Sequence, residues 1–406
     1  MLSGTLLLCA IAGLVACTVF LGLVVVAAWG YRRRPHPASS PSAGFPPVTL
    51  LKPVYGLEPN LENNLRSFFC QDYPDFEIIF GARDLTDPAL GIVRSLQLEY
   101  PKVRTRIVVS GEPDRPNAKI CSLEKMCAAA TTPYLVISDS DVRVNDTYLR
   151  EVVRPLLDPA VGLVTCLYRG VPTGGAWSAL EAMGMSVEMT SGVIVADMLE
   201  GMRFALGPTM AVRRDALDKA GGIAMLADYC ADDYVLGKRV FESGYRVVLS
   251  EHIIDHIVTG RTLQASIAHQ MRWMKSTRFS RPAGHIGAGL TYAMPFGIVG
   301  MGAALMAHRP LLAVSLLAWA WFNRVFLALA SGWFVVRDPR SLSYCWLYAI
   351  RDFTGFSFWC ASFLGNTVLW RGGERYRLVA DGKMVRVGGP PAKPRPSGPV
   401  TIDDLA

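Results

Sequence analysis

The chain has 406 residues, 51% of them hydrophobic and 18% charged, with a mean hydropathy of +0.27. That is too apolar for a wholly water-soluble enzyme, so part of the chain is expected to lie in lipid. The formal charge of +7 comes without basic runs interleaved with aromatics, which argues against nucleic acid and for attraction to anionic lipid head groups. The nine cysteines are odd in number and never spaced C-x-x-C, so they suggest neither a disulfide framework nor a zinc site.

Taken in chain order, an uncharged run over 6–29 is followed, not preceded, by Arg32, Arg33 and Arg34. It exceeds the apolar stretch of a cleavable signal and, at ~1.5 Å per residue, is long enough to cross a bilayer. Residues 1–34 therefore read as a retained transmembrane anchor, and the basic flank places the globular domain beyond it in the cytosol. Residues 35–47, rich in Pro, Ser, Ala and Gly, read as a linker.

Strands are predicted over 48–52, 76–82, 104–109 and 134–138, alternating with helices over 57–69, 88–100 and 118–130. A strand over 161–167, a helix around 176–189, a segment over 204–213, a helix over 232–242 and a strand over 245–249 continue the pattern. Such alternation predicts an α/β domain over 48–281 built on a mostly parallel sheet, with ligands beyond the carboxyl ends of the strands.

Apolar runs return over 287–307 and 311–336, separated by His308, Arg309 and Pro310, with a third over 342–370. Residues 282–370 are thus expected to form membrane helices and 371–406 a tail. Asn323, Arg324, Arg351 and Asp352 interrupt these runs. Charges at membrane depth face a bundle interior or cavity, or, for Arg351 and Asp352, sit wet at the interface. Three crossings would leave Arg371, Arg375 and Arg377 outside, against the tendency of basic residues to stay on the cytosolic side.

Three groups carry chemistry. Asp139 and Asp141, two residues apart just past a strand, put two carboxylates on one face if extended, where hard oxygens can hold Mg2+ or Mn2+ against diphosphate oxygens. Their alternative use is an Asx turn or a helix cap. Asp232 and Asp233 begin an amphipathic helix, where one carboxylate can cap and the other can act as a general base. In His269-Gln270-Met271-Arg272-Trp273, Arg272 can neutralise diphosphate and Trp273 can stack or anchor at the lipid interface. The alternative is an interfacial helix with snorkelling basic residues.

Together these segments resemble the ceramide glucosyltransferase family, glycosyltransferase family 21 within the larger family 2 group. The resemblance runs through LLKPVYGLEPNLENNLRSFF (50–69), QDYPDFEIIFGARDLTDP (71–88), NAKICSLEKM (117–126), LVISDSDVRV (135–144), GLVTCLYRG (162–170), CADDYVLGK (230–238) and HQMRW, and more weakly WRGGERYRL from Trp370.

It implies a GT-A fold on the cytosolic face of a bacterial inner membrane, a UDP-sugar donor, a lipid acceptor and a divalent cation. It also implies roles for particular residues. Asp84 is the nucleoside-side acid, Asp139 with Asp141 holds metal and diphosphate, Asp233 is the base, Arg272 and Trp273 form the R-W pair, and Asn117 and Lys119 lie on the donor side. His269 departs from the Gln or Arg of the pattern, which leaves its substrate role open.

The implied reaction is inverting transfer of glucose from UDP-glucose to a ceramide-like lipid. The hopanoid-associated branch resembles the chain almost as well, and would imply UDP-N-acetylglucosamine and bacteriohopanetetrol. A processive polysaccharide synthase or a non-catalytic membrane protein remain as readings from other classes. The methionines of 177–202 suit either a lipid pocket or core packing.

Overall fold

A computed structural model describes residues 2–34, 44–260, 262–370, 374–388 and 400–401. The expected linker falls mostly outside the described residues, as does Arg371. The chain forms two compact units, one of residues 35–167, 202–259 and 369–406 and the other of residues 1–34, 168–201 and 260–368.

The first unit is built on a mixed sheet. Its first four strands, β1 (Val48–Pro53), β2 (Phe76–Ala82), β3 (Arg104–Val109) and β4 (Tyr134–Ser138), lie parallel in the order β3-β2-β1-β4. The near-continuous apolar content of β1, β2 and β4 follows from burial on both faces, with Leu50, Leu51, Ile78, Ile79, Val136 and Ile137 sealed in the core, whereas β3 opens on the less buried Arg104, Thr105 and Arg106. Helices Leu61–Phe69, Ala89–Glu99 and Ala118–Ala129 make the crossovers.

The sheet continues through β5 (Val142–Arg143), β6 (Val161–Pro172), β7 (Thr209–Arg213) and β8 (Arg246–Val258), in the order β4-β7-β6-β8-β5. Here β7 runs antiparallel to both β4 and β6, and β5 antiparallel to β8. The parallel expectation therefore holds for the first half only. β6 and β8 also run past their expected ends, to Pro172 and Val258. From the tail, strands Arg375–Leu378 and Met384–Arg386 form a hairpin whose flank hydrogen-bonds to the 228–230 loop.

The second unit is helical. Helices Leu2–Arg32, Ala176–Glu200 and Pro310–Val335 are each long and apolar enough to cross a membrane, and the bent pair Pro282–Thr291 with Ala293–Met306 counts as a fourth if it forms one span. Leu14, Cys17, Ala293, Ala304, Ala313, Leu316 and Ala320 pack together, small residues allowing close helix approach. Outward, Leu8, Val19, Val26, Leu311, Val314 and Phe326 are exposed, as lipid-facing residues are.

The helix around 176–189 extends to Glu200, carried through Met185–Met189 by a wide π turn. It cannot cross a bilayer alone: β6 before it and β7 after it pair in one sheet, Leu163 beside Val212, so the chain must return to the side it left.

The third C-terminal run, expected over 342–370, is not one span. It breaks into Pro339–Ser343, Cys345–Leu347 and Tyr348–Ser362, and its longest piece has 15 residues, only ~22 Å at the rise of an α-helix. Nor are the charges in this region wet. Arg324 and Asp352 form a buried pair at 2.9 Å, Arg324 donating also to the Thr291 carbonyl at 2.7 Å, while Arg351 pairs with Glu188 at 2.8 Å.

Candidate active site

The carboxyl end of β4 delivers Asp139 to the edge of the sheet. The next residues turn into β5, so Asp139 and Asp141 cap no helix. Asp139 accepts an ion pair from Lys119 at 2.6 Å, and Lys119 stands 3.8 Å from Asp232. The surrounding carboxylates hold the Lys119 ammonium well above its usual range. Asp141 faces His256 of β8 at 3.7 Å.

The helix Asp232–Glu242 begins beside this cluster. Its N-cap is Ala231, so neither aspartate is used as the cap. Gly237 lets the helix press onto the backbone of Phe204 and Ala205, where any Cβ would collide. The same loop brings Gly207 over Asp233: a Cβ at Gly207 would lie 3.0 Å from Asp233 Oδ2. Burial, and then the charge of Asp232, raise the Asp233 carboxyl from 3.8 to about 6, against the Tyr234 N–H that donates to its Oδ1 at 2.8 Å. A carboxylate so tuned is a competent proton acceptor near neutral pH.

Asn117, expected on the donor side, is fully buried and its amide is already spent. Its Nδ2 donates to the Tyr229 carbonyl at 3.0 Å and to Asp232 Oδ1 at 3.2 Å, while its Oδ1 accepts from Ile120 N–H at the start of the helix Ala118–Ala129. It therefore anchors the loop that leads to Asp232.

Asp84 follows β2, and since β2, β1 and β4 are parallel neighbours, it leaves the same edge of the sheet as Asp139, two strands or roughly 10 Å away. It is exposed, and the Thr86 hydroxyl and N–H donate to its Oδ1, keeping the carboxyl below its usual value. Its neighbour Asp87 is structural, accepting from Gly56 and Ala89 N–H groups at 2.9 Å.

Sequence reasoning missed Lys52, a charged residue in an otherwise apolar strand. It is completely buried, its Nζ 2.6 Å from the Asp139 carbonyl and 3.6 Å above the Phe68 ring. Burial lowers it to about 7 despite nearby Asp139, Asp141 and Glu58. The signal was available: one lysine inside the run VTLLKPV has no outward face to occupy when the strand is buried on both sides.

His269, Arg272 and Trp273 belong to the helical unit, on the helix Leu263–Ser280. His269 Nδ1 lies 2.6 Å from Glu181 Oε1, whose other oxygen accepts from Ser266 at 2.9 Å, and the His269 ring is 4.6 Å from Trp273. Glu181 is buried, so this carboxylate fixes how the imidazole is oriented. Arg272 and Trp273 are partly buried.

Among the described residues, no group of three or more His, Cys, Asp or Glu is arranged to hold an ion. Asp139 and Asp141 still fit a divalent cation of the Mg2+ type, which binds through one or two carboxylates and is completed by substrate phosphates. They do not fit an ion caged by protein alone.

A family model described as "Glycosyl transferase family 21" matches residues 6–384. The chain belongs to that family. It is a glycosyltransferase, and among its family 21 relatives is Ceramide glucosyltransferase 1 of Caenorhabditis elegans, 24% identical over 387 residues, 93% of this chain and 81% of the relative. A ceramide glucosyltransferase of Komagataella phaffii is 41% identical over 101 residues, 24% of this chain and 20% of the relative.

Among solved structures, a mannosyltransferase from Pyrobaculum calidifontis in complex with GDP-Man and Mn2+ aligns with a TM-score of 0.56 at 22% identity, covering 87% of this chain and 99% of that one. That likeness identifies the fold of the family 21 chain as glycosyltransferase-like and says nothing about its ligands.

Proposed function

We propose that this family 21 transferase moves glucose from UDP-glucose to a hydroxyl of a ceramide-like lipid, with inversion at the anomeric carbon. The observation that carries the proposal is Asp233, raised to about 6 at the start of its helix and set beside the Asp139, Lys119 and Asp232 cluster. In the reaction, Asp233 takes the proton of the acceptor hydroxyl as its oxygen attacks the anomeric carbon. The bond from that carbon to the diphosphate breaks and UDP departs with the electron pair.

Lys119 turns its charge from the paired acids toward the diphosphate, and Asp84 holds the nucleoside side. Asp139 and Asp141 would hold a divalent cation, which would supply neutralisation of the leaving diphosphate. Arg272 and Trp273 are carried as catalytic residues, and His269 as a substrate residue, by their position in the family pattern. The lipid acceptor and the glucosyl donor are supported by what the ceramide glucosyltransferase relatives are named for.

The helix Leu2–Arg32, the bent pair Pro282–Thr291 with Ala293–Met306 taken as one span, and the helix Pro310–Val335 hold the enzyme in the inner membrane of a bacterium, with the sheet unit on the cytosolic face. The last two form a hairpin turning at His308, whose left-handed backbone makes the tight reversal. An even number of crossings after the sheet returns Arg375 and Arg377 to the cytosolic side, in keeping with the tail being part of the sheet unit.

The test is to incubate membranes containing the protein with labelled UDP-glucose or UDP-N-acetylglucosamine and identify the labelled lipid by mass spectrometry. A glucosylated sphingoid lipid is expected. Label arriving only from UDP-N-acetylglucosamine on a hopanoid polyol overturns the donor and acceptor assignment, and a growing polymer overturns single transfer.

A further inference from the structure

The three residues Asp139, Ser140 and Asp141 are held by an unusually complete set of backbone and side-chain hydrogen bonds. The Asp139 carbonyl accepts from Lys52 Nζ at 2.6 Å, the Ser140 carbonyl from Asn64 Nδ2 at 3.2 Å, and the Asp141 carbonyl from Ile257 N–H at 2.7 Å. The Ser140 hydroxyl donates to Glu58 Oε2 at 2.8 Å, and Asp139 N–H donates to the Pro208 carbonyl. Three of these partners, Lys52, Glu58 and Asn64, come from β1 and the loop and helix after it.

Lys52 is the unusual member. A fully buried ammonium is costly, and the rest of its hydrogen bonding is one weak contact to Ser138 Oγ at 3.4 Å. A methionine of equal length would fill the space over Phe68 without that cost. What methionine could not do is donate to the Asp139 carbonyl and so tie the turn that carries both carboxylates to β1.

We propose that Lys52, flanked by Asn64 and Glu58, is a positioning residue that presents the Asp139 and Asp141 carboxylates to the donor's diphosphate and its cation. This rests on the proposed function, in which Asp139 and Asp141 are the acids at the diphosphate. Lys52 touches neither substrate nor reacting atoms. It acts by fixing the turn between β4 and β5, as residues behind metal ligands do, where substitution costs about 10- to 100-fold in affinity.

The experiment uses the full chain in detergent. UDP binding in the presence of Mn2+ is measured by calorimetry, and steady-state constants are taken separately for donor and acceptor, for Lys52→Met, Lys52→Arg, Asn64→Leu and Asp139→Asn. Expected for Lys52→Met is a loss of about 10- to 100-fold in UDP–Mn2+ affinity with a matching rise in donor KM, an acceptor KM within about twofold, and partial recovery in Lys52→Arg. A merely structural role would raise both KM values or neither.

If Asp139→Asn loses UDP–Mn2+ binding while Lys52→Met keeps it, the positioning role is overturned and the reading of the acids stands. If Asp139→Asn itself binds UDP–Mn2+ normally, the reading of the acids fails first. Should Lys52→Met not yield folded protein, Asn64→Leu decides: it removes one donor to the same turn without moving a charge, and wild-type donor affinity there overturns the proposal.

Discussion

Two pairings of acid with base, one in each unit, differ in a way that separates a site from a staple. In the helical unit Arg324 and Asp352 are 2% and 1% exposed, and the guanidinium's donors are absorbed by Asp352, Asn323 and the Thr291 carbonyl. Four of the five N–H donors are engaged, and the pair is closed to solvent. In the sheet unit Lys119 is shared between Asp139 and Asp232, and Asp139 remains 29% exposed. A shared cation and a reachable carboxylate can be re-paired when a diphosphate arrives, whereas a closed pair can only be broken.

The comparison is broken most easily at the base. Asp233→Asn is expected to lower kcat by about 10³-fold or more with the fold and UDP binding retained; near-normal turnover in purified membranes would remove Asp233 from the mechanism. Next in size is chelation. EDTA is expected to abolish transfer and Mn2+ or Mg2+ to restore it, and undiminished turnover in chelator would take the cation out of the reaction.

The closed pair should respond in the opposite way. Arg324→Met leaves Asp352 buried without its partner and should cost about 3–5 kcal/mol of stability, read as a lowered melting temperature in detergent. Adding Asp352→Leu should recover most of that loss. A double variant that folds but cannot transfer sugar would show that the pair does more than hold helices.

The pH dependence sharpens the other side. Because Asp233 must be ionised to accept a proton, kcat/KM should fall about tenfold per pH unit below about 6. The stability sign is the reverse of the usual carboxylate. With the folded value raised above 3.8, the folded state binds the proton more tightly, so its contribution to stability is lost as pH rises from 3.8 through about 6. Asp233→Asn should therefore melt slightly above wild type near neutral pH, and the gap should close in acid.

Legibility in the sequence followed the physics of each element. β2, β3, β4 and the helix Asp232–Glu242 have the bounds expected of them, because each strand holds a short apolar run bounded by turn residues and the helix opens at an acidic pair. The extended ends of β6 and β8 were not legible, since Arg169, Glu251, His252 and Asp255 interrupt the apolar pattern.

The π turn at Met185–Met189 hid the length of the helix Ala176–Glu200, because a wide turn shifts the periodicity on which the reading depends. The run over 342–370 misled through composition: it is apolar enough to span but broken by local geometry. Of the candidate site, the placement of Asp84, Asp139 and Asp141 after strands and of Asp233 at the head of a helix was legible, while the engagement of Asn117 and the burial of Lys52 depend on contacts far away in sequence.

The hairpin of the tail has a consequence in time. The loop just before Asp232 is closed by the Gly382 carbonyl, which accepts from Cys230 N–H, and by Met384 N–H, which donates to the Asp228 carbonyl. Those residues leave the ribosome after every apolar helix has been made. A nascent chain therefore carries Asp233, the proposed proton acceptor, just past an unfinished loop until its apolar helices have been synthesised, and a chain cut short after Trp370 would keep every residue of the proposed reaction while lacking the clasp on the loop before Asp233.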